Sequence, residues 1–393
     1  MDHRSYSRHG RNYITKNSVK ALVLGLGISG TSASSFLKKR GYEVVGVDDK
    51  LAPQKIADLS AFSLLVLSPG ISPDHPLCER ARVAGIPIKG EAQIALEHIK
   101  APCIGVTGTN GKTTVVQMLE HCFNACGKKA RAVGNIGTPL TSCVDAKEIL
   151  IVELSSYQLE TLHAKVFDVG IILNIAEDHL DRYSSAEDYA RAKAHLQNCI
   201  KEGGQFFVHH DIDPAYLSHD YQTYQGGNLE AVRLICLSFG IEEGDFFQTV
   251  SSFSKPAHRL EFVSEIAGVR YYNDSKATNV AAVMHALEIM QKKVILLLGG
   301  QDKGISFHPL NKHTETISKV IVFGEAREKI ANALQDYQVK QVETMQQATE
   351  AAMALAKTGD TVLFSPGCAS FDAFQNYEKR GEEFKRLIRR RTK

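Results

Sequence analysis

The sequence has almost no net charge. Its 46 Lys and Arg against 44 Asp and Glu leave a formal +2 over 393 residues. That excludes the strongly basic surface of a nucleic-acid binder or a membrane-surface binder, so neither partner is expected. Long apolar runs are also missing, and none approaches the length of a bilayer span. The first 18 residues are polar and basic, with Arg4, Arg8, Arg11 and Lys16. Lacking an apolar stretch, they are not a secretory signal and read as a flexible tail or an expression remnant. There is no Cys-x-x-Cys pair among the eight cysteines. The nearest two, Cys122 and Cys126, stand one helical turn apart in an apolar pattern. Reduced thiols in a cytoplasmic protein are therefore expected. What remains, 44% hydrophobic and 23% charged residues, is an ordinary globular composition in a chain long enough for two or three domains.

The most informative stretch is Cys103-Ile-Gly-Val-Thr-Gly-Thr-Asn-Gly-Lys-Thr-Thr114, an apolar strand entering a glycine turn, a lysine and two threonines. Gly108 and Gly111 allow backbone N–H groups to turn around phosphate oxygens. Lys112 adds a point charge, and Thr113 offers a hydroxyl to Mg²⁺. A helix from Thr113 to about Asn124 would add its positive end. A full P-loop would have glycine where Val106 stands, so this is a shortened form; the plainer alternative is a tight strand-to-helix turn.

Before this stretch, Ala21-Leu-Val-Leu24 leads into Gly25-Leu-Gly27-Ile-Ser-Gly30, a helix to about Arg40, and a second strand ending at Asp48-Asp49. Strand, Gly-x-Gly-x-x-Gly, helix, strand and acid form the dinucleotide fingerprint, which fits NAD(P) or another nucleotide. Leu64-Leu-Val-Leu67 ends in the turn Ser68-Pro69-Gly70, a ligand edge or a mere loop. After it, Ile149 to Glu153 and Val169 to Leu173 are strands. In a parallel sheet Glu153, Asn174 and His179 share the carboxyl edge with the phosphate turn. Glu153 is placed as a Mg²⁺ carboxylate or as an edge carboxylate in water, and His179 as a ligand or a helix-capping residue. Ser184 to Ile200 has helical periodicity, a capping box at Ser185 and Asp188, and an apolar stripe Tyr189, Leu196, Ile200. Lys193 falls on that stripe, where snorkelling is the ordinary explanation. Residues from about Gly203 to Glu230 read as irregular, and Ala231 to Phe239 as helical. From about Lys255 strands and helices alternate again, with strand ends at Asn273-Asp-Ser-Lys-Ala-Thr-Asn279, Gly299 to Gly304 and Ser365 to Asp372. The whole is an α/β protein.

Together, Thr107 to Thr114, Glu153-Leu-Ser-Ser-Tyr-Gln-Leu-Glu160, Asp178-His-Leu-Asp-Arg-Tyr183, His258-Arg259, Asn273 to Asn279 and Ser365-Pro-Gly-Cys-Ala-Ser370-Phe-Asp372 resemble the muramyl (Mur) ligases over nearly everything from Lys20 onward. The phosphate loop is shared with folylpolyglutamate synthase; the last two motifs resemble the D-glutamate-adding branch. The resemblance implies three domains. A Rossmann-like UDP-sugar domain at 19–100 precedes a central P-loop-type ATPase domain at 101–254 with a mainly parallel sheet. A Rossmann-like α/β domain at 255–393 follows and binds the amino acid. The expected hinge is at Ser254-Lys255-Pro256. The first glycine motif is thereby assigned to UDP instead of NAD.

The implied reaction is ATP-dependent addition of D-glutamate to UDP-N-acetylmuramoyl-L-alanine in a monomer. The resemblance carries over Lys112, Glu153, His179, Lys193 and Arg259 as catalytic. It implies that ATP is held by Gly108, Thr109, Asn110, Gly111, Lys112, Thr113, Thr114 and Val115, with Asn228, Arg259 and Asp274. Two Mg²⁺ ions would be held by Thr113, Glu153, His179 and a carbamate on Lys193. The UDP-sugar would meet Gly27, Ile28, Ser29, Asp48, Asp49, Ser68, Pro69 and Gly70, and its muramoyl part Asn135, Ser155 and His179. D-Glutamate would meet Lys276, Thr278, Lys303, Ser370 and Tyr377, the last often phenylalanine in relatives. One departure concerns adenine: relatives show His-Asn-x-x-Asn where this chain has Gly227-Asn228-Leu-Glu-Ala231, and the central domain is short between Gly203 and Gly227. Two rival classes remain. An oxidoreductase would use Gly25 to Gly30 and Asp48 but leaves Lys112, Glu153 and the last third unexplained. A non-catalytic nucleotide-binding regulator would have no use for the catalytic charges.

Overall fold

The computed structural model describes residues 19–49, 56–135, 137–254, 256–290 and 292–390. The basic tail and Lys255 of the expected hinge lie outside the described residues. The chain divides into two compact units, residues 1–98 with 139–144 and residues 99–138 with 145–393.

In the first unit, β1 (Lys20–Leu24), β2 (Glu43–Val47), β3 (Phe62–Leu67) and β4 (Ile88–Gly90) form a parallel sheet in the order β2-β1-β3-β4. The uninterrupted apolar runs of β1 and β3 suit a sheet covered on both faces. Leu22, Leu24, Leu65 and Leu67 enter one core layer, and Ala21, Val23, Leu64 and Val66 the other. Helix Ile28–Lys39 can pack this closely because residue 30 is glycine: a Cβ there would collide with the Gly25 carbonyl oxygen. Segment 139–144 returns to this unit, where Thr141 donates its N–H and its hydroxyl to buried Glu91, each at 2.7 Å.

The second unit holds two six-stranded sheets. The first comprises β5 (Cys103–Thr107), β6 (Ala130–Gly134), β7 (Ile149–Glu153), β8 (Phe167–Ile172), β9 (Ile200–His209) and β10 (Gln222–Tyr224), in the order β10-β9-β8-β5-β7-β6 and parallel throughout. The second comprises β11 (Glu261–Ile266), β12 (Val269–Asn273), β13 (Val294–Gly299), β14 (Ile317–Phe323), β15 (Val339–Gln341) and β16 (Thr361–Phe364), in the order β11-β12-β16-β13-β14-β15. Only the edge pair β11 and β12 is antiparallel. Its two faces carry separate cores, one around Val283, Leu296 and Ile330 and the other around Ile295, Phe364 and Phe384.

Two sequence expectations are corrected. The stretch 203–230 is not irregular: it contains most of β9, a 3-10 turn at Pro214–Tyr216, β10 and the start of helix Asn228–Ser238. Gly203 and Gly204 and the single apolar residue of β10 conceal these strands, whereas Phe206-Phe207-Val208 is the short buried run that reveals β9. The helix expected over 184–200 is α-helical only at Ala186–Ala194. A 3-10 turn follows at His195–Cys199, and Ile200 opens β9. The Ser185 hydroxyl does cap it, accepting the Asp188 N–H at 3.1 Å.

Candidate active site

Parallel strands bring distant sequence to one edge. β5 ends at Thr107, and the turn after it requires glycine at two places, with φ +152° at Gly108 and +88° at Gly111. A Cβ on Gly111 would collide with the Asn228 side chain, which sets that expected nucleotide residue against the turn. From the end of β8, Asn174 clamps the loop. Its carbonyl accepts the Thr109 N–H at 2.9 Å, its Oδ1 accepts the Asn110 N–H at 2.8 Å, and its Nδ2 donates to the Asn110 carbonyl at 3.0 Å. Thr109 is further tied to Ala176 and to the Tyr189 hydroxyl. Helix Lys112–Ala125 starts one residue before the expected position and ends one after, with Thr113 and Val115 buried and Thr114 half-buried. Val115 lies in the core, so only its backbone can meet a ligand.

Two ammonium groups converge on one carbonyl. Lys112 Nζ donates to Gly108 O at 2.6 Å and Thr109 O at 2.8 Å, and Lys193 Nζ donates to Gly108 O at 2.9 Å. Lys193 is 1% exposed and does not snorkel. Burial, with Lys112 next, pushes its ammonium well below the ordinary lysine range, and burial lowers Lys112 as well. Glu153, also buried, accepts from Asn135 Nδ2 at 2.9 Å through Oε1, while its Oε2 has no partner among the described residues. A buried, unsatisfied carboxylate oxygen is costly and points to a cation or donor that completes it. His179 has φ +56°, with its Nδ1 2.7 Å from the Tyr157 hydroxyl. Burial and Lys303 push its pKa down to about 3, so the imidazole is neutral and has one ring nitrogen with a free lone pair. Ser155 caps helix Ser156–Leu159 in a reciprocal capping box with Gln158.

The second sheet faces the same turn. Asn279 Nδ2 donates to Asn110 Oδ1 at 3.2 Å and to Asp178 Oδ2 at 3.0 Å, and Lys303 Nζ meets Asp178 Oδ1 at 2.9 Å. Burial would raise Asp178, but Lys303 and its other donors hold it at about 2. Arg259 stands between His258 (φ +64°) and Leu260 (φ +44°), two left-handed residues, and its buried Nε has no partner among the described residues. Asp274 accepts the Leu260 N–H at 3.2 Å and the Ser365 hydroxyl at 2.7 Å, and burial raises its pKa to about 7. Lys276 Nζ lies 4.0 Å over the Tyr377 ring, with burial lowering it to about 8. Ser370 is buried, and Thr278 half-buried beside Asn279.

In the first unit the expected UDP residues shape a turn. Asp48 Oδ2 accepts the Leu26 N–H at 2.7 Å, and the Ser68 hydroxyl donates to Gly25 O at 2.7 Å. Gly27 precedes the helix that Ile28 and Ser29 begin, and Asp49 meets His75 at 3.0 Å. Pro69 and Gly70 continue the turn from the end of β3. Sequence reasoning gave no role to Asn174, Asp178 or Asn279. The signal available was their position at strand ends or inside motifs already singled out.

A family model of the Mur ligase middle domain matches residues 106–287, and one of the Mur ligase glutamate ligase domain matches 258–368. The chain belongs to the Mur ligase family. Among curated relatives, UDP-N-acetylmuramoylalanine–D-glutamate ligase of Protochlamydia amoebophila is 40% identical over 441 residues, covering 96% of this chain and 99% of the relative. The proteins of that name from Chlamydia abortus and Aquifex aeolicus are 36% and 34% identical, covering 95% and 94% of this chain and 98% of each relative. Among solved structures, the MurF ligase from Thermotoga maritima in complex with ADP has a TM-score of 0.61 at 17% identity, covering 95% of this chain and 96% of that one. E. coli FolC with ADP has a TM-score of 0.59, also at 17% identity, covering 82% of this chain and all of that one. The Protochlamydia alignment runs over 441 positions against 393 residues here, so at least 48 positions have no counterpart in this chain.

Proposed function

We propose that this chain joins the L-alanine carboxylate of UDP-N-acetylmuramoyl-L-alanine to the amine of D-glutamate, converting ATP to ADP and phosphate. One observation carries the reading: the phosphate turn, the unsatisfied Glu153 oxygen and the loops bearing Arg259, Lys276 and Lys303 lie in one compact unit, with Asn110 and Asp178 bonded directly to Asn279 and Lys303. A carboxylate cannot expel O⁻ to form an amide. It must first take the γ-phosphoryl group as an acyl phosphate, from which phosphate leaves when the amine attacks. Lys112 and Arg259 neutralise the transferring phosphoryl group, and the unpaired Arg259 Nε is a donor in want of such an acceptor. The turn N–H groups and Asn228 hold the nucleotide, with Asp274 orienting the Arg259 loop through Leu260. Lys276, Thr278, Lys303 and Ser370 provide cations and hydroxyls for the two carboxylates of D-glutamate, and Tyr377 a ring wall. Asn135, Ser155 and His179 are assigned to the muramoyl side, and the turns at Gly27 and Ser68 with Asp48 and Asp49 to UDP.

Thr113, Glu153, His179 and a modified Lys193 are the residues to hold magnesium, two ions being expected, which when bound neutralises charge on the ATP phosphates. The orphaned Glu153 Oε2 and the neutral His179 fit this. We assign to Lys193 a carbamate: burial favours loss of the ammonium proton, and the resulting neutral amine attacks the carbon of CO₂. A new N–C bond forms as one C=O π bond opens onto oxygen, the nitrogen releases a second proton, and a two-oxygen anion replaces the buried cation. The test is Lys193→Ala with and without short-chain carboxylates. Recovery of turnover on adding the carboxylate supports the carbamate, and full activity without it refutes the role.

Functionally, we divide the chain at 19–100, 101–254 and 255–393, as UDP-sugar, ATP and amino-acid domains. Since one chain carries residues for all three ligands, a cytoplasmic monomer suffices. No helix among the described residues is long and apolar enough to cross a membrane. The deciding experiment is phosphate release measured with each of ATP, UDP-N-acetylmuramoyl-L-alanine and D-glutamate withheld in turn. Release that depends jointly on all three is expected; release indifferent to D-glutamate would overturn the assignment.

A further inference from the structure

Helix Tyr377–Arg389 is capped by Asn376, which accepts the Lys379 N–H at 2.8 Å. Positions 380, 381, 384, 385 and 388 form one buried stripe at helical spacing, with Phe384 and Ile388 in the core beside Phe364 and Leu297. A guanidinium is out of place on such a stripe. Arg380 is nevertheless 1% exposed and heads the fully buried side chains by volume. All of its described hydrogen bonds go to neutral oxygens. Nη1 donates to Cys368 O at 3.0 Å and Ala369 O at 3.1 Å, Nη2 to Ser275 O at 2.9 Å, and Nε to Ser275 Oγ at 3.1 Å.

Three strand ends meet at this one planar group. Ser275 follows β12 and precedes Lys276 and Thr278. Cys368 and Ala369 follow β16 and precede Ser370. Gly300 follows β13 and leads to Lys303, and a Cβ at Gly300 (φ +132°) would come within 3.0 Å of Arg380 Nη1 and collide with Ala369 O. Ser275 Oγ, while accepting from Arg380, donates to the Tyr377 carbonyl at 2.8 Å, which ties in the ring beneath Lys276.

A methionine or leucine would fill the same space without desolvating a charge, so packing alone does not account for arginine here. What arginine adds is a rigid fork of five donors that can hold two separate loops at a fixed spacing. We propose that Arg380 is a positioning residue for the amino-acid substrate, fixing the distances among Lys276, Thr278, Lys303 and Ser370 that a dicarboxylate must span. The proposal rests on reading those four residues as the D-glutamate pocket.

Arg380→Lys keeps the charge and loses the fork; Arg380→Met keeps the bulk and loses both. Steady-state kinetics for all three substrates, with thermal unfolding to establish folding, is the test. Losing hydrogen bonds to a charged donor predicts a rise of about tenfold or more in KM for D-glutamate in Arg380→Lys, with KM for ATP and the UDP-substrate within about twofold and kcat within about threefold. An unchanged KM for D-glutamate, or an equal rise in all three KM values, overturns the proposal. Should both variants fail to fold, Ser275→Ala removes one of the four bonds, and a rise of about threefold in KM for D-glutamate is expected; no rise overturns it. Lys303→Ala and Ser370→Ala run in parallel. If they leave KM for D-glutamate unchanged, the pocket reading fails and the proposal with it. If they raise it and Arg380→Lys does not, the pocket stands and only the role of Arg380 falls.

Discussion

Lys112 and Lys193 share the Gly108 carbonyl as acceptor, yet their expected roles differ. Lys112 folds onto its own loop by hydrogen bonds that an incoming phosphate would exchange. Lys112→Ala should therefore lower kcat by about 10²-fold or more. Binding of the UDP-substrate, assigned to the first unit, should stay nearly intact by calorimetry. Asp274 offers a pH test. Its folded pKa of about 7 lies above the ordinary 3.8. Protonation therefore favours the folded state, fully below the unfolded pKa. As pH rises toward 7 the unfolded chain gives up its proton first, and that stabilisation is lost. Asp274→Asn, neutral throughout, should lack this dependence, so the melting temperature of the native protein relative to the variant should fall between about pH 4 and about pH 7 and level off above that. The types of residue at these positions were legible in the sequence because glycine, lysine and threonine in one short run have few other uses. The Asp178–Lys303 pair was not, since 125 residues separate its partners and neither carries a local sign of the other.

At the scale of elements, the alternation of apolar strands and helices gave the parallel sheets, and with them the carboxyl edges where ligands gather. Strands β1, β3, β7, β13 and β14 were visible as uninterrupted Val, Leu and Ile runs. β9 and β10 were hidden because glycine and polar residues occupy positions that a paired backbone holds in place without apolar side chains. Asn174 shows how one strand end disciplines another. Its side chain binds both the N–H and the carbonyl of Asn110, so Asn174→Ala should loosen the phosphate turn and weaken nucleotide binding about tenfold, with little change in KM for D-glutamate. Equilibrium binding of ADP is the direct measurement; an unaltered isotherm would show that the turn holds its shape without the clamp. The glycine at 111 is constrained from another helix: Gly111→Ala would combine an unfavourable φ with a collision against Asn228, and nucleotide affinity should fall by more than for Asn174→Ala.

The alignment with the Protochlamydia relative runs over 441 positions against 393 residues here, and the second unit has two six-stranded sheets with buried cores against each. The shortening expected between Gly203 and Gly227 falls where β9 and β10 make the outer edge of their sheet. If adenine contacts are fewer for that reason, replacing ATP by GTP should raise KM less than it does for the longer relatives, which parallel kinetics would establish. Within the second unit, Lys112, Lys193, Lys303 and Arg259 lie close to the carboxylates Glu153, Asp178 and Asp274, and the burial of each lysine at the phosphate turn disfavours its charged form. Anionic ligands relieve that crowding, so a saturating nucleotide at about 100 times its Kd should add about 2.7 kcal/mol to stability, readable as a rise in melting temperature. Inside a cell this makes persistence a function of supply: molecules engaged with substrate resist local opening and proteolysis, whereas those left idle by a shortage of precursor are the first to be cleared.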